Sequence, residues 1–144
     1  MNGVSLSFVA RKGYIFNDSS NENDEREIEA IVRVLGKTVN DTISQKLSFY
    51  WFVQNISISK SNPFYNKYGG YGWRCLNPYK ILERDEYNNS ILIDFNPMGS
   101  IFTVSKKDIK VKQQKYKCVV LYGNESFSKE FFIFNNDASY EIEI

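Results

Sequence analysis

Apolar and polar residues alternate with a period of two along most of this chain. That period belongs to strands, whose successive side chains point to opposite faces. Leu6, Phe8 and Ala10 interleave with Ser5, Ser7 and Val9, Gly13 interrupts them, and Tyr14-Ile15-Phe16 follows. Residues 17–24 form a polar, Asn-rich loop. In 27–34, Ile28, Ala30, Val32 and Val34 share one face and Glu27, Glu29, Ile31 and Arg33 the other, which predicts a half-buried strand. Leu35-Gly36-Lys37 turns it, and the polar stretch 38–45 has room for one helical turn. Residues 47–53 (LSFYWFV) are almost continuously apolar and predict a central strand covered on both faces.

Residues 55–72 make a long connection, and Trp73-Arg74-Cys75-Leu76 a short strand closed by Asn77-Pro78. Two short strands, 91–95 and 101–104, flank the tight-turn signal Asn96-Pro97-Met98-Gly99. A polar corner at 105–109 precedes an alternating strand, 115–122, whose partner, 127–134, follows the Gly123-Asn124 turn. Tyr140-Glu141-Ile142-Glu143-Ile144 alternates once more. No amphipathic helix of ten residues is evident. About eight short strands at this spacing predict an antiparallel sandwich, with a barrel as the alternative.

Composition narrows the function more than the fold. The 144 residues suffice for one domain with its own core. We expect that domain over residues 1–136, with 137–144 as a terminal strand, a linker, the start of a following module or an inter-subunit contact. The 18 basic and 17 acidic side chains leave a net charge of +1, so no long-range field gathers nucleic acid or anionic lipid. Histidine is absent, which removes the usual general base and the commonest transition-metal ligand. Cys75 and Cys118 are too few for a zinc cage or a disulfide framework. No apolar run reaches the length of a membrane span, and no secretory leader is expected at the start.

A constellation of residues separates sandwich from barrel. Trp51 lies centrally in the third strong strand, and Tyr116-Lys117-Cys118 lies in a late strand after a corner carrying Asp108. Tyr116 and Cys118, two apart, share one face of their strand, and a buried phenol needs a hydrogen-bonding partner near the corner. This combination resembles the immunoglobulin fold, in which a core Trp packs on a later Cys and a Tyr two residues before it ties down a corner. The inward positions of 27–34 hold Ile28, Ala30, Val32 and Val34 where that fold carries a first Cys, so no inter-sheet disulfide is expected.

Read in order, Ser5-Leu6-Ser7-Phe8, Gly13-Tyr14-Ile15-Phe16-Asn17, Ile28-Glu29-Ala30-Ile31-Val32, Gly36-Lys37, Tyr50-Trp51-Phe52, Gly72-Trp73, Ile101-Phe102-Thr103-Val104, Asp108 and Tyr116-Lys117-Cys118 resemble the Ig-like modules of tailed-bacteriophage structural proteins. The resemblance covers residues 4–135. It implies an all-β Ig-like sandwich of about seven to nine strands. It implies a non-enzymatic virion component assembled in the host cytoplasm, in contact with other virion proteins and with copies of itself in the tail, baseplate or capsid surface. An adhesin module that binds a carbohydrate or receptor on the host surface is the alternative.

The search for chemistry returns little. Asp18, Ser20, Glu22 and Asp24 alternate as calcium ligands would but lack the turn glycine, so a solvated loop is expected. Glu83, Arg84, Asp85 and Glu86 read as a mixed-sign loop. Six lysines, at 106, 107, 110, 112, 115 and 117, fall within twelve residues and read as a solvated, edge-protecting face. No catalytic residue, cofactor, metal or small-molecule substrate is expected, and nucleic acid is not expected as a partner. The binding candidates are Phe64, Tyr65, Tyr68 and Tyr71, in a Tyr/Gly/Asn-rich loop of the kind that recognises partners or folds over a core, and Tyr140, Ile142 and Ile144 in the terminal strand.

Overall fold

The computed structural model describes residues 3–17, 21–34, 37–38 and 47–138. They hold eleven strands, more than the seven to nine expected. These are β1 (Val4–Ala10), β2 (Ile15–Phe16), β3 (Glu25–Val34), β4 (Lys37–Thr38), β5 (Leu47–Gln54), β6 (Trp73–Cys75), β7 (Tyr79–Arg84), β8 (Ser90–Phe95), β9 (Ile101–Ser105), β10 (Gln113–Tyr122) and β11 (Glu125–Asn135). One 3-10 turn, Lys106–Asp108, forms the corner before β10. No helix among the described residues is long and apolar enough to cross a membrane.

Two sheets enclose the main core. In the smaller, β3 pairs with β1 along one edge and with β4 and β9 along the other, all antiparallel. The larger runs β2-β11-β10-β5-β6 and is antiparallel except where β2 joins β11 in parallel. Alternation decides what faces inward. Leu6, Ile28, Ala30, Val32, Phe102 and Val104 come from the smaller sheet, and Phe49, Trp51, Tyr116, Cys118, Val120, Phe131 and Ile133 from the larger. The single wide cluster they form is the dominant source of stability.

Trp51, Cys118 and Tyr116 meet at its centre. Cys118 is the direct cross-strand partner of Trp51. The indole stacks on Phe102 at 5.2 Å between centroids, and Tyr116 stacks on Phe131 at 5.4 Å. The indole N–H donates to the carbonyl of Gly99 at 3.2 Å, so its polar edge is satisfied. Burial and the nearby Asp108 carboxylate both push the Tyr116 hydroxyl up, which keeps it protonated.

Cys75 lies elsewhere. It pairs across from Phe52, one residue along β5 from Trp51, and so points out of the opposite face of the sheet. Both thiols are free and buried.

Segment 96–100 differs from the hairpin its turn signal suggests. It carries the chain from one sheet to the other: Met98 N–H bonds to Phe49 O on β5, and Ser100 O accepts from Ala30 N–H on β3. The true partner of β8 is β7, and the two form a separate hairpin. Glu83 and Arg84, read as loop, are strand residues of β7.

Buried cations bind the two sheets at one end. The Arg26 guanidinium of β3 lies 4.4 Å from the Phe16 ring centroid and donates to Ile15 O at 2.7 Å, holding β2. Its other arm meets Asp24 at 3.1 Å. Lys106 is buried nearby and pairs with Asp137. Asp24 therefore serves an ion pair, and Asp18 and Ser20 of the alternating acidic run lie outside the described residues.

Candidate interaction surface

The outer face of the larger sheet is apolar too. Tyr50, Phe52 and Val119 project from it and form a second cluster with Cys75 and Phe95, joined at its margin by Phe64, Tyr68, Trp73, Ile93 and Leu121. This is why 47–53 lacks alternation: β5 is covered on both sides, by the smaller sheet within and by loop and hairpin without.

The loop 55–72 is fastened by its asparagines. The side-chain oxygens of Asn55, Asn62 and Asn66 accept from the backbone N–H two residues on, at 3.0, 2.8 and 2.9 Å. These are Asx turns, the local hydrogen bonds that make Asn a turn residue. Gly69 then lies flat on the Phe52 ring, where an added Cβ would sit 2.3 Å from a ring carbon. Lys117 of β10 locks the arrangement, donating to Gly69 O at 2.7 Å with its ammonium 4.3 Å from the Trp73 ring centroid. Desolvation lowers the Lys117 pKa, partly offset by Glu130.

The four aromatic candidates of this loop separate into two pairs. Phe64 and Tyr68 turn inward: Tyr68 packs on Tyr50 at 5.1 Å, and Phe64 lies between Tyr79 at 5.6 Å and the Arg74 guanidinium at 4.1 Å. Tyr65, half-buried, and Tyr71, 65% exposed, stand apart from that cluster and touch each other at 5.6 Å. Tyr140, Ile142 and Ile144 lie outside the described residues.

The β7–β8 hairpin extends this surface. Eleven large apolar side chains are exposed among the described residues, and five of them, Tyr79, Leu82, Tyr87, Ile91 and Leu92, sit on this one hairpin. Its tip is fixed: the Asp85 carboxylate accepts from the backbone N–H of Tyr87 and of Asn89, both at 2.9 Å, and Arg84 donates to Asn88 O at 2.9 Å. Asn88 takes a positive φ of 66°, which Asn tolerates. Tyr87, 76% exposed, is thus presented from a rigid apex. Between β8 and the loop lies a cleft of about 400 Å³ lined by Lys60, Asn62, Pro63, Tyr65, Ile91 and Leu92, among others.

The strand expected at 91–95 is β8, but its partner β7 escaped sequence reasoning because the pairing is irregular. The register shifts between Ile81 and Glu83 and again between Glu83 and Arg84. Each shift breaks the alternation that marks a strand. The apolar pair Ile81-Leu82, opposite Leu92 and Ile93 of that strand, was the available signal.

The lysine run does not gather into one face. Lys106 is buried against Asp137, Lys115 pairs with Glu130 at 2.9 Å, and Lys117 is folded under the loop. Lys107 and Lys110 are exposed. Among the described residues no three Cys, Asp or Glu side chains converge as a metal-binding group. No protein-family model matches the sequence, and no curated protein matches it.

Proposed function

We propose that the chain is an immunoglobulin-like module that acts by protein–protein contact, as a non-enzymatic structural component of a tailed-phage virion. The strand order supports the fold half of this reading. β1, β3 and β9 occupy the places of strands A, B and E, and β5, β10 and β11 those of C, F and G, with the core Trp on C and the Tyr-x-Cys pair on F. Two departures are the missing B–F disulfide and the hairpin inserted before E. The observation that carries the contact role is that hairpin. A monomeric surface seldom concentrates its large apolar side chains on one rigid projection unless something covers them. The phage setting rests on the ordered sequence resemblance.

The test is mass spectrometry of particles purified from cells that carry the encoding genome. The chain is expected in the particles, and the pair Tyr87→Asp with Leu92→Asp should remove it from them while leaving its melting temperature within about 2 °C. Its absence from particles overturns the virion reading. Undiminished incorporation of the double variant overturns the role of the hairpin.

One observation favours the adhesin reading. The half-buried Tyr65 and the exposed Tyr71 form an aromatic pair beside a cleft whose other walls carry Lys60, Asn62 and Ser90, a mixture of stacking faces and hydrogen-bonding groups suited to a sugar. Saccharide binding on a glycan array, abolished by Tyr65→Ala and by Tyr71→Ala, would establish it.

A further inference from the structure

A sheet edge left open is a template for another strand, and proteins guard such edges with charge, bulges or brevity. The edges of this molecule are guarded unevenly. In the larger sheet β2 has two residues and β6 three, including Arg74, while β11 carries Glu125, Lys129 and Glu130. The hairpin edges are blunted by two register shifts and by Lys80, Glu83 and Arg84. In the smaller sheet β9 is uncharged but only five residues long, runs into Lys106 and Lys107, and borders a cleft walled on its far side by Val53 and Leu76 of the larger sheet. β1 is different. Its seven residues, VSLSFVA, contain no charge, no Pro and no Gly, and pair with β3 through seven consecutive positions without a bulge. Its other edge pairs with no strand among the described residues. The cations beside it come from neighbouring strands: Arg33 of β3 donates to Ser7 Oγ at 3.1 Å on the outer face, the Lys129 ammonium of β11 lies 6.0 Å from the Phe8 ring centroid, and Arg11 is drawn sideways to Glu29 at 3.2 Å.

We propose that β1 is the dimerisation edge of this protein, pairing antiparallel with β1 of a second copy about a two-fold axis at Ser7. The sequence of the strand is complementary to itself in that register. Ser7 meets Ser7, Leu6 meets Phe8, Ser5 meets Val9 and Val4 meets Ala10. Core-facing residues therefore meet core-facing residues, and the strand itself brings no charge to oppose its copy. The outward Val9, now exposed, gains cover beside Ser5 of the other copy. Phe8, half-buried against Phe131 at 4.8 Å, is continued by Leu6 of the other copy. The two smaller sheets become one continuous sheet across the axis. This does not depend on the virion reading and uses a surface other than the hairpin.

Sedimentation velocity or light scattering of the purified chain at about 100 μM, where a micromolar association is saturated, tests it. Wild type should have twice the mass of the 16.8 kDa chain. Ser7→Lys, on the solvent face, should be a folded monomer, because two ammonium groups then face each other across the axis. A mixture of Ser7→Lys with Ser7→Glu should form the heterodimer, detected by native mass spectrometry. Thr103→Lys on β9 and Tyr87→Asp on the hairpin should remain dimeric. A monomeric wild type, a Ser7→Lys protein that stays dimeric, or a dimer lost through Thr103→Lys or Tyr87→Asp instead overturns the proposal.

Discussion

Asn77 offers the sharpest test of how the larger sheet is completed, because its side chain does the work of a strand. Beyond β6 no strand among the described residues continues the edge of β5 at Trp51 and Phe49, where Met98 makes a single bridge to Phe49. Asn77 Oδ1 accepts the Trp51 backbone N–H at 2.8 Å, and Nδ2 donates to Phe49 O at 2.9 Å and to Asn96 O at 2.8 Å. The residue is only 2% exposed, so water cannot replace these bonds. In Asn77→Ala the Phe49 carbonyl keeps the N–H of Met98, but the Trp51 N–H is stranded in the interior. An orphaned buried donor costs about 1–3 kcal/mol, and the small void adds to it, so a loss of about 3 kcal/mol is expected.

Asn77→Asp probes the same geometry by its sign. The carboxylate still accepts from Trp51, but its second oxygen faces two carbonyls. Its folded pKa must therefore rise above the unfolded value of about 3.9. Between those two values the unfolded state binds fewer protons than the folded state, so stability falls as pH rises, by about 1.4 kcal/mol per pH unit. The deficit relative to wild type should be smallest near pH 3 and grow above about pH 4. Urea melts followed by Trp fluorescence at several pH values give both numbers. A loss under about 1 kcal/mol for Asn77→Ala, or a deficit for Asn77→Asp that is flat with pH, would refute the account.

Other parts of the fold answer to single measurements. Trp51→Ala should cost about 3–5 kcal/mol in denaturant melts, since the indole is fully buried among Phe102, Phe131 and Phe8; a loss below about 1 kcal/mol would contradict its place at the centre. Gly69→Ala should cost about 1–3 kcal/mol, because the loop must lift off the Phe52 ring; equal stability would contradict the close approach. Burial pushes the Cys118 thiol and the Tyr116 hydroxyl up, and the Cys75 thiol up to about 11. These groups contribute stability that is complete below their unfolded values and lost as pH rises, so stability should fall from about pH 9, less steeply in Tyr116→Phe. Neither thiol should react with a disulfide reagent until the chain unfolds, when both should react; fast reaction of the native protein would contradict their burial.

What the sequence made legible follows from where alternation survives. β1, β3 and β11 each bury one face, and β10 does so outside 118–120, so period two marks them and sets Tyr116 and Cys118 on one face. β5 was legible for the opposite reason, since only a strand covered on both sides tolerates LSFYWFV. The covering layer was not legible. Phe64 and Tyr68 differ from Tyr65 and Tyr71 by their positions in Asx turns, and no pattern in the loop announces which aromatics turn inward. β7 was hidden by its bulges, and β9 seemed to pair with β8 because Asn96-Pro97-Met98-Gly99 signals a bend without saying which sheet the chain enters next. The lysine run misled by proximity: Lys115 and Lys117 share a face of β10 but are engaged by Glu130 and by the loop, and Lys106 opens the corner turn, where it is buried.

The abundance of asparagine, 15 in 144 residues, has a physical reading here. Asn55, Asn62 and Asn66 pin the loop, Asn77 completes a sheet edge, and the buried Asn135 ties β11 to Ile109 at 2.9 Å. Each side chain supplies a backbone-like hydrogen bond where regular pairing stops. With the outer face of β5 and β10 sealed by a loop so held, the apolar side chains that the larger sheet leaves exposed among the described residues, Ile15 and Phe132, lie toward its β2–β11 edge. The densest apolar surface that remains is on the hairpin with its rigid Tyr87 apex. A mutation that loosened an Asx turn should therefore expose Tyr50 and Phe52 without altering the hairpin. In Asn66→Ala, extra binding of a hydrophobic dye at an unchanged β7–β8 structure would separate the covering layer from the contact surface it supports.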